Sequence, residues 1–509
     1  MEPATPLKKP AATYLPVYLV FLLSALYLAW LVSSSHPGVF FSGDGGVKHI
    51  IIKQFSEGHG FKYLYLSQPQ WVQEVWGHGF FPLKPPFVYP SPQGYIFVYP
   101  PAFQVLSSFF YTRFGDPGLY IIPVASTLLL WSFFVGLLRR CKIPPAYIAF
   151  ALFILAFCSP LTLYGAIYWE HMTAVLLLFS GVSFILLPAT RTWTAIGMGL
   201  LSGLACWFRP ESMAMNGLYG LAVLILYWKE RRPVYIAFLV GMALSGGGFL
   251  LFNKLELGAF LGIHSYQILQ DEDSTGFVGN GIKNLVSNNK ISLKHFAYIV
   301  FLLPIVYALL KYKRTLDLRV SILIMIVIAF CLGTPFMVPN EGGRQWGARY
   351  FLPIIPIITV VLILVATQWQ LREKRKLYTG LLAAVILCTG FSFYLNTYKG
   401  GIKTLRLQNA ERVKPDLDFI GPQNGKVVIV SQPFIAMDLG YLFDKDYFFL
   451  APGNDSLRRL LPLLKAQGIR EYTYISYAPI PDQPSMLKNN NIPPRPEPGD
   501  FRYENYTIE

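Results

Sequence analysis

Charge is what this chain has least of. Of its 509 residues, 14% are Asp, Glu, Lys or Arg, whereas 53% are hydrophobic and 16% aromatic. Soluble domains carry about a quarter charged residues, so a soluble, disordered or fibrous protein is excluded, and a mean hydropathy of +0.42 agrees. Cysteine is scarce as well. Cys141, Cys158, Cys206, Cys331 and Cys388 all lie in or beside apolar runs, which leaves no disulfide framework and no Cys-rich zinc site; they read as buried free thiols. There is no GxGxxG nucleotide fingerprint and no long internal repeat. Acidic residues are the rarer sign: 43 basic against 28 acidic residues give a net charge of +15. That excess would suit nucleic acid, but the placement of the charges gives a membrane reason for it, and no nucleic acid partner is expected.

What is present is a series of long apolar runs. A spanning helix needs roughly 20 mostly apolar residues. Eleven candidate runs occur, at about 15–34, 118–138, 145–163, 172–188, 193–208, 213–228, 234–252, 296–311, 319–338, 350–369 and 377–396. Basic residues follow or precede them on one side: Lys8 and Lys9; Arg139, Arg140 and Lys142; Arg191; Lys229, Arg231 and Arg232; Lys311, Lys313 and Arg314; Arg372, Lys374, Arg375 and Lys376. Basic short loops stay in the cytoplasm. The expectation is an α-helical polytopic membrane protein with about eleven crossings, a cytoplasmic N-terminus and an outside C-terminus. The first run has no small-residue cleavage site after it and reads as an uncleaved signal anchor.

The other face carries the bulk: a large outer loop at 36–117, a second at 253–295, a short one at 339–349 and a tail at 397–509. The domain expectation is therefore a transmembrane unit at 1–396 and an extracytoplasmic α/β domain at 397–509. In the tail, 426–431, 446–450 and 471–477 read as strands, and 455–467 has helical periodicity. Alternation of strand and helix suggests a small Rossmann-like layer. Residues 479–498 are Pro-rich and read as an extended end. Residues 100–114 are too short to span comfortably and read as an amphipathic helix on the outer leaflet. The rings of the first loop, Trp71, Trp76, Phe80, Phe81, Tyr89, Tyr95 and Tyr99, suit an interfacial aromatic belt or sugar stacking.

Charged residues at the outer helix ends are few, and such residues are functional candidates by default. Asp44 lies in Phe41-Ser-Gly-Asp-Gly-Gly-Val-Lys48, where it is either a turn aspartate or a site in a glycine-lined approach. Glu170, followed by His171, opens the fourth run, and a helix dipole alone would favour an acid there. Arg209-Pro-Glu211 joins the fifth and sixth runs, as an ion pair in a tight turn or as part of a site. Glu341-Gly-Gly-Arg344-Gln-Trp346-Gly-Ala-Arg349-Tyr350 leads into the tenth. Arg344 and Arg349 break the positive-inside trend. They suit either headgroup snorkelling or two-point binding of a phosphate.

In order, these features resemble the GT-C superfamily of polytopic glycosyltransferases, which includes protein O-mannosyltransferases and lipid A aminoarabinose transferases. The matching pieces are Asp44 after the first helix, Tyr99-Pro-Pro-Ala with Phe114-Gly115, and the paired Arg139-Arg140. Glu170, Asn253-Lys-Leu-Glu-Leu-Gly258 and Gly342-Gly-Arg-Gln-Trp-Gly-Ala-Arg-Tyr-Phe-Leu-Pro353 continue the series. Asp44 is followed by Gly45 where mannosyltransferases often have Glu.

The resemblance implies an inverting glycosyltransferase. It would move a hexosyl or pentosyl group from a polyprenyl-phosphate donor to a lipid, glycan or protein acceptor at the outer face. Asp44 and Glu170 would be catalytic. Arg349, Arg344, Lys48 and Arg209 would hold the donor phosphate, while His171, Glu211, Glu341, Trp346 and Tyr350 would contact substrate. A divalent metal is possible but none is expected to be obligatory, because two carboxylates do not make a cage. The location expected is the bacterial inner membrane, with the C-terminal domain periplasmic. A transporter or flippase of lipid-linked sugars is the alternative from another class.

Overall fold

The computed structural model describes residues 14–263, 276–303, 305–306, 317–338, 345–370, 375–421, 424–477 and 501–508. Among these residues the apolar runs become helices: α1 (Leu15–Val32), α2 (Gly43–Ser56), α3 (Gln70–Val75), then a hairpin of β1 (Val88–Ser91) and β2 (Gly94–Phe97), and α4 (Pro101–Phe114). Next come α5 (Ile121–Arg140), α6 (Pro145–Phe157), α7 (Leu161–Gly165), α8 (His171–Leu186), α9 (Thr192–Phe208), α10 (Ser212–Glu230) and α11 (Pro233–Leu257). The chain continues with α12 (Gly276–His295), α13 (Leu318–Gly333), α14 (Ile354–Gln370), α15 (Arg375–Phe393) and α16 (Asn409–Ile420). It closes with β3 (Val427–Val430), α17 (Pro433–Asp438), β4 (Tyr447–Leu450), α18 (Asn454–Ala466), β5 (Glu471–Tyr477) and β6 (Phe501–Thr507).

Ten of the eleven expected runs coincide with described helices. The eighth, at 296–311, is described only in part; Lys311, Lys313 and Arg314 lie outside the described residues, as do Lys8, Lys9, Arg372, Lys374 and the Pro-rich end at 479–498. Among the described residues, four helical stretches, Leu15–Val32, Asp116–Arg140, Pro233–Leu257 and Leu318–Phe336, are long and apolar enough to cross a membrane on their own. The second outer loop is not a simple loop, since residues 276–295 of it form α12.

Burial separates the helices by role. α8 is apolar all round and buried on nearly every side, the mark of a central helix. α1 instead exposes Leu15, Tyr18, Leu19, Leu22, Leu23, Leu26 and Trp30, an apolar face of the size that a bilayer covers. α9 and α11 meet backbone to backbone: a Cβ on Gly199 would fall 2.0 Å from the Phe238 carbonyl oxygen, and one on Gly241 would fall 2.1 Å from that of Ile196. Small residues at such a seam let helices pack closely where lipid offers no hydrophobic drive.

Two basic residues at helix ends tie neighbouring helices together. Arg139 at the end of α5 lies over the Tyr14 ring at the start of α1, 4.8 Å away. Arg319 at the start of α13 donates to Glu230 at the end of α10 (2.5 Å) and to the Leu186 carbonyl at the end of α8 (3.3 Å). At the other end of α9 lies α4, and Lys48 of α2 pairs with Glu170 just before α8.

The tail forms a sheet in the order β4-β3-β5-β6. β3 is parallel to both β4 (Val428↔Phe448) and β5 (Val428↔Thr473), and it is buried on both faces, as its unbroken Val-Val-Ile-Val requires. β6 adds an antiparallel edge that the periodicity did not signal. The expected strands and helix of the tail match β3, β4, β5 and α18 to within a residue or two.

This sheet does not keep its core to itself. Val47, Ile50 and Ile51 of α2, Val72 and Val75 of α3, and Trp76, Phe80 and Phe81 share one hydrophobic cluster with Val428, Ile429, Phe448, Phe449 and Ile475. That changes the reading of the first-loop rings. Trp71 packs on Tyr447 and Phe449, and Trp76 donates its indole N–H to the Phe448 carbonyl (2.9 Å). Phe81 stacks on Tyr95 at 3.6 Å. Trp71 and Trp76 are thus covered by the C-terminal sheet instead of facing lipid or an open sugar platform. α4, by contrast, keeps Val105, Leu106, Phe109 and Phe114 exposed on one side, as an interfacial helix should.

Candidate active site

Asp44 does not sit in a loose bend. Ser42 is extended, and the chain turns helical at Gly43, which puts Asp44 in the first turn of the 14-residue helix α2 and Lys48 one turn later on the same face. Glu170 is the last residue before α8, but its side chain makes no cap bond there. It turns instead toward Lys48, with which it forms a buried ion pair, and toward Arg209, whose Nη1 donates to it at 3.1 Å. The helix dipole therefore does not account for this acid. Arg209 follows α9 and Glu211 precedes α10, and the two also pair with each other. The tight-turn ion pair is present, and Arg209 serves Glu170 as well.

Arg349 arrives from 305 residues away. Gly347 turns the chain with φ at +78°, and Arg349–Phe351 forms a short 3-10 turn into α14. Arg349 Nη1 lies 3.3 Å from Asp44 Oδ2, and Nη2 donates to the Tyr350 hydroxyl at 3.3 Å. The second Asp44 oxygen accepts from the Tyr99 hydroxyl at 2.9 Å. Burial and the Asp44 carboxylate push the Tyr99 phenol well above its ordinary pKa, so it remains a donor. For Glu170, burial alone would raise the pKa, but Lys48 and Arg209 overcome it and hold the carboxyl down to about 2.

The result is one cluster in which Asp44, Glu170 and Glu211 balance Lys48, Arg209 and Arg349. Aromatic faces wall it. Trp169 lies 5.9 Å from both Lys48 and Arg349, while the Tyr350 ring lies 5.2 Å from Arg349 and 5.8 Å from Arg209. Such walls keep water from screening the charges. On one side the cluster opens into a cleft lined by Arg209, Glu211, Arg349 and Tyr350 together with the apolar Val175, Phe330 and Leu352. His171 also lines it, stacked on Trp169 (4.9 Å), with both ring nitrogens buried and lacking a hydrogen-bond partner. On the other side, Tyr99 and Pro210 border a second, largely apolar cleft that also involves Phe249 and Phe252.

The structure thus brings together Asp44, Lys48, Glu170, His171, Arg209, Glu211, Arg349 and Tyr350. Trp346 is not with them: its indole donates to Asn396 (3.2 Å) and its ring meets His295 edge-on. Glu341 and Arg344 lie outside the described residues. Tyr99 and Trp169 were not singled out for this role by sequence. The only signal was their place, one in Tyr-Pro-Pro and one directly before Glu170.

A divalent metal does not fit the described residues of the cluster. A hard cation takes about six oxygen ligands, whereas Asp44 and Glu170 are already committed to Arg349 and to Lys48 and Arg209. Among the described residues no three His, Cys, Asp or Glu side chains converge.

Neither a protein-family model nor a curated protein sequence matches the chain. Among solved structures it is similar to ArnT from Cupriavidus metallidurans bound to undecaprenyl phosphate, with a TM-score of 0.54 at 13% sequence identity, over 91% of this chain and 93% of that one. It is similar also to ArnT from the same organism in the apo state, with a TM-score of 0.51 at 13% identity, over 90% and 92% of the two chains. The likeness runs nearly end to end. The mostly helical fold expected from the order of the motifs is the fold that the chain shares with ArnT.

Proposed function

We propose that this protein transfers a sugar from a polyprenyl-phosphate donor to an acceptor hydroxyl at the extracytoplasmic face of a bacterial inner membrane. The N-terminus is then cytoplasmic and the tail periplasmic. The observation that carries this reading is the Arg349–Asp44 pair. A guanidinium suited to a phosphate and a carboxylate suited to a proton share one walled cluster at the ends of the spanning helices. The fold shared with ArnT, in a structure bound to undecaprenyl phosphate, adds support. The cleft beside Arg209 and Arg349 is lined by charged groups and apolar side chains together, which suits a phosphate on a lipid. A transporter of lipid-linked sugars would put its polar site near mid-membrane. Here the charged groups cap helix ends.

In the proposed reaction the acceptor oxygen attacks the anomeric carbon and its proton passes to Asp44. The bond from that carbon to the phosphate oxygen breaks, and the electron pair leaves with the phosphate, so the configuration inverts. Arg349 and Arg209 stabilise the charge that grows on the leaving group. Lys48 and Glu170 hold the cluster in register between them. Because the resting charges cancel, a phosphate that engages Arg349 competes with Asp44 for it. Donor binding therefore frees an Asp44 oxygen for the acceptor proton.

The test is a turnover assay on purified protein, with the copurifying lipid identified by mass spectrometry and supplied as undecaprenyl-phosphate sugar. Release of undecaprenyl phosphate that depends on Asp44 is the expected outcome. Full release by Asp44→Asn removes the proposed base.

A further inference from the structure

Helix α2 has two working faces. Asp44 and Lys48, one turn apart, point into the charged cluster. Gly43, Gly46, His49 and Lys53, at three- and four-residue spacing, point the other way, to residues 437–444 between β3 and β4. There the contact is backbone on backbone. A Cβ on Gly46 would fall 1.8 Å from the Met437 carbonyl oxygen, and one on Gly440 would fall 2.5 Å from the Gly46 oxygen. Beside this, a Cβ on Gly43 would fall 2.8 Å from Met437 Cβ. The His49 ring packs on Tyr441 at 5.2 Å, and Lys53 pairs with Asp444. The transfer step uses none of these groups.

We infer that the C-terminal α/β unit is a template for the helix that bears the base. In this arrangement Gly46 and Gly440 are positioning residues that set how deeply α2 presents Asp44 and Lys48 to the cluster. The inference rests on the transferase reading above for its functional meaning. Its physical basis is that no side chain lies between the two backbones to absorb a displacement. Whatever moves residues 437–440 moves Asp44 against Arg349, and a misplacement on the order of 1 Å costs about 10²-fold in rate.

The experiment compares wild type with Gly46→Ala, Lys53→Asp, Asp444→Lys and the double exchange Lys53→Asp/Asp444→Lys, all full length. Size-exclusion and thermal melts in detergent check that each is folded. Gly46→Ala is expected to lower kcat about 10²-fold with the donor KM changed by no more than about threefold. Each single charge change is expected to lower kcat roughly tenfold, and the double exchange to return it to within about twofold of wild type. An equal fall in folded protein and activity, or no recovery in the double exchange, overturns the template. A cryo-EM structure of Gly46→Ala, or of Lys53→Asp should the first not fold, decides the matter without turnover. An opened Asp44–Arg349 pair supports the inference, and a pair still at 3.3 Å overturns it. Should wild type turn over no polyprenyl-phosphate sugar, the transferase reading falls, while this structural comparison still judges the template.

Discussion

The guanidinium of Arg349 reaches the Asp44 carboxylate at 3.3 Å, across 305 residues of sequence, and both side chains keep less than a fifth of their surface open. Each is therefore the other's main electrostatic partner until a phosphate competes. Asp44→Asn should abolish transfer while leaving undecaprenyl-phosphate affinity equal to or higher than wild type, because a neutral amide no longer holds Arg349. Native mass spectrometry of bound lipid beside a turnover assay reads both. Weaker lipid binding in Asp44→Asn would refute the exchange.

Arg349→Ala and Arg349→Lys should act on the donor. Loss of a charge-assisted hydrogen bond to phosphate should raise the donor KM by roughly tenfold or more, and Lys should recover only part of that because it lacks the planar fork. A titration of initial rate against donor concentration decides it; an unchanged KM in both variants would take Arg349 out of the donor site.

Lys48 and Glu170 are almost wholly buried, with 2% and 4% of their side chains exposed. Removing one partner leaves an uncompensated charge, at a cost of about 3–5 kcal/mol. Lys48→Met should lower the melting temperature markedly, and Lys48→Met/Glu170→Leu should be milder than that single change. Melts of the wild type and these two variants test the coupling.

Acid should attack the same place. Glu170 has a folded-state pKa of about 2 against an ordinary 4.5, held down by Lys48 and Arg209 against burial. A depressed pKa contributes stability that is complete above about pH 4.5 and is lost as pH falls toward 2. Melting temperature plotted over that window should fall in wild type and fall less in Glu170→Gln.

His49 offers a contrast, since burial there leaves an ionisable ring neutral. It lies among Phe40, Tyr111 and Tyr441 with no hydrogen bond to either nitrogen, and burial takes its pKa down to about 3. His49→Phe should melt within a few degrees of wild type. His49→Lys should be strongly destabilised, since it forces a charge into the same space.

Much of this molecule was legible beforehand, for identifiable reasons. Spanning helices announce themselves because lipid demands long apolar runs, so α1, α5 and α11 were plain. The strands of the tail were plain because Val427–Val430 is apolar without interruption. Asp44, Glu170, Arg209 and Arg349 stood out because charge is rare at that end of the helices. What stayed hidden was pairing. Nothing local in Glu170 says that it faces Lys48 rather than its own helix end, and nothing in Trp71 or Trp76 says that a sheet from the far end of the chain will cover them. α2 itself was missed, because Gly43-Asp-Gly-Gly has poor helix propensity and only the tertiary contact at Met437 and Gly440 rewards it.

The core shared by α2, α3 and the C-terminal sheet has a consequence for how the protein is made. A ribosome delivers Val72, Trp76 and Phe81 early and their covering strands, β3 to β5, only after nearly all the helices have been inserted. Until β3 to β5 emerge, the sheet that covers these side chains does not exist, so the packing of the first loop is completed last.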